Sequence, residues 1–383
     1  MRALRYTTRS GISVIRTVSR VSYRKGLKSL LRDLDTCRGA YLSSGYEYPG
    51  RYSRWDIATI RPPLEIVARD REIEFRPLNL RGEMLAQILL PALEGHPHWE
   101  SFGRYGPGLR GRLKPLPALF PEEERSKQPS AFSILRTLIE EFRHPQDSRL
   151  ALIGAFGYDL LFQFEPIARR LPRSGHKDLH LFLADDIYFM DRKKEQIERY
   201  QYDFERDEFS TLALARAGDP VPRPKTAEGA PGAIVSDHTP EEYMANVQTV
   251  REGMRRGDYY EVVLRQTFRA PYSGKASKLF ERMQQASPSP YEFLLQLGEE
   301  QLVGASPEMF VRIEGDRVET CPISGTARRT GDPLKDAQAI RELLDSTKEE
   351  SELTMCTDVD RNDKSRVCVP GSVKVIGRRL IES

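Results

Sequence analysis

The sequence predicts an α+β fold, and three observations carry that reading. Residues 180–204 (HLFLADDIYFMDRKKEQIERYQYDF) alternate like a strand pair. MFVRI-EGDR-VETCPI reads as a hairpin around Gly315. Two capping boxes open helices in the later half of the chain.

The elements follow in chain order. Ile12, Val14, Val18 and Val21 are spaced for burial on a strand, and LKSLLRDLD continues as a helix. The same stretch has a second reading: residues 1–32 carry several Arg and Ser and no acidic residue, as mitochondrial transit peptides do. Many Pro and Gly mark 103–130 as an exposed loop, and ALIGAFGYDLLFQFE (151–165) is a compact apolar block. Residues 216–238 are rich in Pro, Gly and Ala without periodicity. They divide an N-terminal region, 1–215, from a second region, 239–383.

Beyond that linker, Thr239-Pro240-Glu241-Glu242 starts a helix with Pro at its first position. Tyr243, Val247, Val250 and Met254 share one face, and Gly257 ends the helix. YYEVVLRQTFRA (259–270) reads as a strand, and Leu294, Leu295, Leu297 and Leu302 suggest another. Ser346 caps a further helix, with Glu349 at its third helical position.

Composition narrows the function. The 59 basic and 56 acidic residues give a net charge of +3, too balanced for the basic stripe of a nucleic-acid binder. No apolar run approaches the roughly 18 residues of a membrane span. Four cysteines without CxxC pairing fit a reducing, cytoplasmic setting. His176 and His180 have helical metal spacing but no third ligand, and P-loop, GxGxxG and GxSxG patterns do not stand after a strand.

Chemistry concentrates between Leu302 and Asp363. Glu349 and Glu352 lie three apart on one helix and so share a face. Such a pair suits Mg2+, which takes one or two protein carboxylates and keeps water and substrate oxygens. The competing reading is a solvated acidic face, with Lys348 paired to Glu352. Gly325 lets backbone approach a ligand, and Thr326 adds a hydroxyl and an N–H; a plain turn would look the same. Glu308, at a strand start, suits a general acid where burial raises its pKa, or an ion pair with Arg312 or Arg328.

These motifs (GDYYEVVLRQTF, SPSPYEF, GASPEMFVRIEGDRVETCPISGTARR, KEESELTM and DVDRNDKSRV) resemble the chorismate-utilising enzymes, and within them the chorismate-binding component of anthranilate synthases. LSSGYEYPGRYSRWD (42–56) resembles the first segment of that group's tryptophan pocket, in the variant fused to a glutaminase domain. The resemblance implies two stacked, mostly antiparallel sheets with helices outside. It implies a lyase that converts chorismate and ammonia to anthranilate and pyruvate, with Mg2+, feedback inhibition by L-tryptophan, a glutaminase partner and a homo-oligomer. By position, Glu352 and Glu349 match metal ligands, Gly325 and Thr326 the chorismate contacts, and Glu308 a catalytic glutamate near the leaving group, with Thr326 alongside. Ser44, Pro290, Tyr291 and Glu292 match the tryptophan site.

Two positions choose within the family. Ser324 stands where aminodeoxychorismate-forming relatives carry Lys, and Glu261 where isochorismate and salicylate synthases carry a Lys base. The phenazine-pathway enzyme, which stops at aminodeoxyisochorismate, shares these features, and a non-catalytic tryptophan-binding protein is a further alternative. Ser43, Ser287 and Leu353 depart from the usual Glu, Asn and His. The chain stops at RRLIES where the family continues, so residues 1–383 are expected to be a fragment, inactive alone.

Overall fold

The computed structural model describes residues 2–382 apart from 47–54, 118–119, 166, 174, 219 and 222–233. Two antiparallel sheets carry the fold. In the larger, eight strands run in the spatial order Arg2–Thr7, Ser13–Val21, Gln196–Arg206, Asp186–Asp191, Trp55–Ile60, Gly39–Ser43, Tyr291–Gln296 and Gln301–Ser306. A short ninth, Phe209–Ser210, pairs beside Gln196–Arg206. The second sheet has six strands, ordered Trp99–Tyr105, Gly108–Leu113, Glu72–Pro77, Leu64–Arg69, Leu179–Ala184 and Ala151–Phe156.

Seven α-helices complete the described chain: α1 (Tyr23–Asp33), α2 (Leu80–Glu94), α3 (Ala131–Phe142), α4 (Pro240–Arg256), α5 (Ala276–Ala286), α6 (Pro333–Asp345) and α7 (Thr347–Ser365). One apolar core joins both sheets to α2 and α3. Val14, Ile187 and Phe204 of the larger sheet meet Ile66, Phe75 and Leu109 of the smaller, with Leu89 and Ile134 from the helices. A second cluster packs α1 and α5 on the larger sheet through Leu31, Tyr41, Phe280 and Leu294. Burial of this kind contributes about 1.5–3 kcal/mol per large apolar side chain. The α+β expectation therefore holds, with antiparallel sheets. Tyr291–Gln296 pairs directly with Gly39–Ser43, so strands from before and after residues 216–238, most of which lie outside the described residues, share one sheet.

Local signals and structure agree where the physics is local. Thr239 and Glu242 exchange both capping hydrogen bonds, and Gly257 closes α4 in the left-handed region at φ +80°. Residues 2–33 form two strands and α1, with Ile12 and Val14 fully buried. Leu294 and Leu295 belong to one strand and Leu302 to the next, with Leu297 in the turn between them.

Three expectations are corrected. Within 259–270 only Phe268–Arg269 is strand, paired with Val235–Ser236, because apolar spacing does not supply a pairing partner. The span 103–130 is not one loop: Trp99–Tyr105 and Gly108–Leu113 form a hairpin across Gly106, followed by a 3-10 turn at Glu122–Lys127. His180 sits on a strand, buried against Glu65 at 2.9 Å, so its helical spacing from His176 has no meaning. Among the described residues no helix is long and apolar enough to cross a membrane.

Candidate functional site

The strongest sequence motif builds the wall of a cavity of ≈ 1580 Å3. Ser324, Gly325 and Thr326 meet Glu349 and Leu353 of α7 there, together with the Arg317–Cys321 strand and residues 367–382. Local chemistry explains how α7 begins. The Ser346 hydroxyl accepts the Glu349 N–H at 3.3 Å, satisfying one of the free donors of the first turn. Hydrogen bonds among Thr320, Asp360 and Lys364 tie α7 to the hairpin strand.

Gly325 has φ +68°, a conformation that favours glycine, and a Cβ added there would lie 2.5 Å from Glu349 Oε2. That oxygen is buried without a hydrogen-bond partner. Its sister Oε1 accepts from Lys348 Nζ at 2.8 Å, and the same ammonium lies 3.5 Å from Glu352 Oε2. The two carboxylates thus already share one monovalent cation, whose side chain is largely exposed. An orphaned carboxylate oxygen in a cradle only glycine permits, with a second carboxylate one turn away, fits a hard divalent cation. Among the described residues no group of three or more His, Cys, Asp or Glu gathers for a metal, so such an ion would draw its remaining ligands from water and substrate.

Glu308 is placed differently. It is exposed and accepts the Ile323 N–H at 3.4 Å, so the burial that would suit it to general-acid work is missing. It does join Glu352 and Glu261 around Cys356, whose thiol is pushed up by burial first and then by Glu261, Glu352 and Glu308. Thr326 is exposed. Gly325, Thr326 and Glu349 therefore line the cavity, while Glu308 and Glu352 stand outside its lining.

A second cavity, of ≈ 410 Å3, lies beside the larger sheet. Tyr23, Leu27 and Leu31 of α1, Tyr41 and Gly45, Arg192, Gln284 of α5, Pro288 and Glu292 line it. Glu292 is only 2% exposed. It accepts from Ser43 Oγ at 3.1 Å, Gln284 Nε2 at 2.5 Å and the Ser289 N–H at 3.2 Å. Ser44 donates its N–H to Asp56 at 3.2 Å, and Asp56 also accepts from the Tyr41 hydroxyl and Arg192 Nε, each at 2.8 Å. Burial pushes the Asp56 carboxyl up, against the pull of Arg192.

The four expected tryptophan-site residues separate. Glu292 faces the smaller cavity, and Ser44 stands behind it through Asp56. Pro290 lines the larger cavity. Tyr291 lies on the opposite face of its strand, where burial raises its hydroxyl against the influence of Arg312. Part of the 42–56 segment, residues 47–54, falls outside the described residues. Sequence reading missed Arg192, Gln284 and the α1 wall. Only the strand pairing that brings Asp186–Asp191 against Trp55–Ile60 could have pointed to Arg192.

The comparisons agree on the family and differ in the reaction that the relatives are named for. Residues 118–383 match the family described as chorismate binding enzyme. The chain is 44% identical over 382 residues to an anthranilate synthase of Azospirillum brasilense, an alignment covering 99% of this chain and 52% of that protein. It is 34% identical over 249 residues to aminodeoxychorismate synthase component 1 of Salmonella typhimurium, covering 63% of this chain and 54% of that one. The chain spans about half the length of these curated relatives. In fold it resembles anthranilate synthase component I from Streptococcus pneumoniae, with a TM-score of 0.52 at 21% identity over 84% of this chain and 63% of that one. Antiparallel sheets, the Gly325–Glu349 cradle and a family match over most of the chain lead to one statement: this chain belongs to the chorismate-binding enzymes.

Proposed function

We propose that this chain supplies the chorismate-binding part of an anthranilate synthase. The supporting observation is the cradle itself: the orphaned Glu349 oxygen, closed in by Gly325, in a cavity that Thr326 also lines. Chorismate carries two carboxylates, and Thr326 offers one of them a hydroxyl and an N–H. Glu349 and Glu352 would hold Mg2+ in place of the Lys348 ammonium. When bound, that ion neutralises the ring carboxylate and favours the negative charge that develops as the 4-hydroxyl leaves. Ammonia, delivered from glutamine by a glutaminase domain or subunit, adds to the ring as water departs. Loss of pyruvate then leaves anthranilate.

Ser324 favours this branch over the aminodeoxychorismate one. Its hydroxyl reaches the Glu349 carbonyl at 3.5 Å, so a neutral donor occupies the turn beside the carboxylate pair. Feedback by L-tryptophan is assigned to the smaller cavity. Pro288 walls both cavities, so a ligand in one presses on a residue of the other.

The test is an assay of the native protein, purified from its source, with chorismate, ammonium and Mg2+. Fluorescent anthranilate is its expected product. A 4-amino product would move the protein to the aminodeoxychorismate branch, accumulated aminodeoxyisochorismate to the phenazine branch, and unconsumed chorismate would end the proposal.

A further inference from the structure

Lys348 stands where helix physics gives it no support. It is the second residue of α7, in the first turn, where the helix dipole favours acidic side chains and disfavours a cation. Glu349 and Glu350 fill the same turn in the way the dipole favours. Lys348 also precedes Glu352 by four residues, the weaker of the two orders for a helical ion pair. Its side chain is 77% exposed and so gains little from packing. A residue that breaks local rules without a structural gain points to function.

What Lys348 does hold is the carboxylate pair. Its ammonium donates to Glu349 Oε1 at 2.8 Å and lies 3.5 Å from Glu352 Oε2. Like charges one turn apart repel, and the ammonium between them offsets that repulsion. It comes from the solvent side, being far more exposed than either carboxylate. The inner oxygen, Glu349 Oε2, stays buried beside Gly325 without a hydrogen-bond partner. Lys348 therefore neutralises the pair without satisfying it. Among the described residues no third His, Cys, Asp or Glu gathers here for a metal. A hard cation held by two carboxylates, with water in its other positions, is bound loosely enough for a neighbouring ammonium to matter.

We propose that Lys348 is a tethered competitor for the cation site: without a divalent ion its ammonium bridges Glu349 and Glu352 and keeps them together, and it swings into solvent before both carboxylates can face such an ion. This rests on the reading of the pair as a Mg2+ site and adds the residue that sets how much cation the site requires. The swing needs no rearrangement of the fold, because Lys348 lies on the surface and α7 buries nothing. The solvated ion pair and the metal pair are then two states of one helix face.

Arg379 supplies an internal control. Its guanidinium lies 3.6 Å from Glu350, in the same turn of α7, but Glu350 is not one of the pair. The native protein and three variants, Lys348→Met, Lys348→Arg and Arg379→Gln, are titrated with Mg2+ in a calorimeter. They are also titrated with Mn2+, followed by loss of the free ion's paramagnetic resonance signal. Lys348→Met is expected to bind either ion about three- to tenfold more tightly than wild type, the range of one or two part-exposed ion pairs. Lys348→Arg keeps the charge and should bind no more tightly than wild type. Arg379→Gln should change affinity by less than about twofold, since solvent and salt screen a charge outside the pair. Equal affinity of Lys348→Met and wild type would overturn the competitor and leave the pair as a cation site. An equal gain in Lys348→Met and Arg379→Gln would assign the effect to overall charge and overturn it too. Absence of binding to wild type and Lys348→Met alike would remove the cation reading of the pair itself.

Discussion

The two cavities sit in very different surroundings. The smaller one is built on the larger sheet, between α1 and α5, where Tyr41, Phe280 and Leu294 are buried in a common cluster. The larger one is built from residues that hardly bury anything. Neither α6 nor α7 has a buried residue, and from 307 to 382 only Met309 is buried among the described residues. Phe310 is 90% exposed and Leu334 83%. Tight packing fixes side chains in single rotamers, whereas a lightly packed element opens locally at little cost. The smaller cavity is therefore part of the folding core, and the carboxylates of the larger one are carried by a region whose stability is local.

That contrast predicts that chemistry and stability separate. If the proposed activity is present in the native protein, replacing Glu349 and Glu352 together by Gln should lower its chorismate turnover by more than about 10³-fold, the scale of losing preorganised electrostatic stabilisation. Stability should change by no more than about 0.5 kcal/mol, as for ordinary surface changes. Anthranilate fluorescence and urea unfolding of the same preparations measure both. Undiminished turnover would remove the carboxylate pair from the mechanism. A large loss of stability would show that α7 belongs to the core after all.

The opposite behaviour is expected in the sheet body. Asp185 lies buried against Arg81, Oδ2 accepting Nε at 2.6 Å, while its Oδ1 has no partner. Burial pushes its carboxyl up to about 6, although Arg81 and Arg216 both pull it down. A carboxyl raised in the native state holds a proton that the unfolded chain has released. Its contribution to stability is complete below the ordinary carboxylate range and is lost as pH rises through about 6. Two pKa units correspond to at most about 3 kcal/mol. Between pH about 4 and about 7, wild-type stability should therefore fall relative to that of Asp185→Asn by roughly 1–3 kcal/mol. Parallel pH profiles for the two proteins would mean that Arg81 keeps Asp185 ionised throughout.

The same division decides what the sequence disclosed. Helix starts are legible because capping is settled within four residues: Thr239 and Glu242 form the full reciprocal box, whereas at Ser346–Glu349 only the Ser346 half forms and the Glu349 carboxylate takes Lys348 instead. The Gly325–Glu349 cradle was legible in part: its residues stand in one motif, but the buried, unpartnered Oε2 depends on how α7 meets the turn. Arg192 was not legible. In sequence it belongs to a charged hairpin turn, DRKK, and such runs are usually solvated. Its site exists because Asp186–Asp191 pairs with Trp55–Ile60, and Gly39–Ser43 pairs with Tyr291–Gln296 some 250 residues later. Residues 259–270 failed for the same reason, since alternation shows which face a strand would bury and not which strand lies beside it.

The smallest expected effect tests the contrast most finely, at a residue that belongs to α7 and touches Glu349. The Ser346 hydroxyl accepts the Glu349 N–H, and loss of such a cap costs a helix about 1 kcal/mol. In a helix packed into a core, that cost would appear in global unfolding. Here α7 buries nothing, so Ser346→Ala should fray its first turn and leave the rest of the molecule unchanged. Hydrogen exchange at residues 349–352 should quicken by about fivefold, the equivalent of 1 kcal/mol, with the urea midpoint unmoved. Glu349 would then spend less time against Gly325, and the KM for chorismate should rise several-fold while kcat stays nearly constant. A fall in the urea midpoint without local exchange would mean that the two cavities share one cooperative unit, and the distinction between them would be lost.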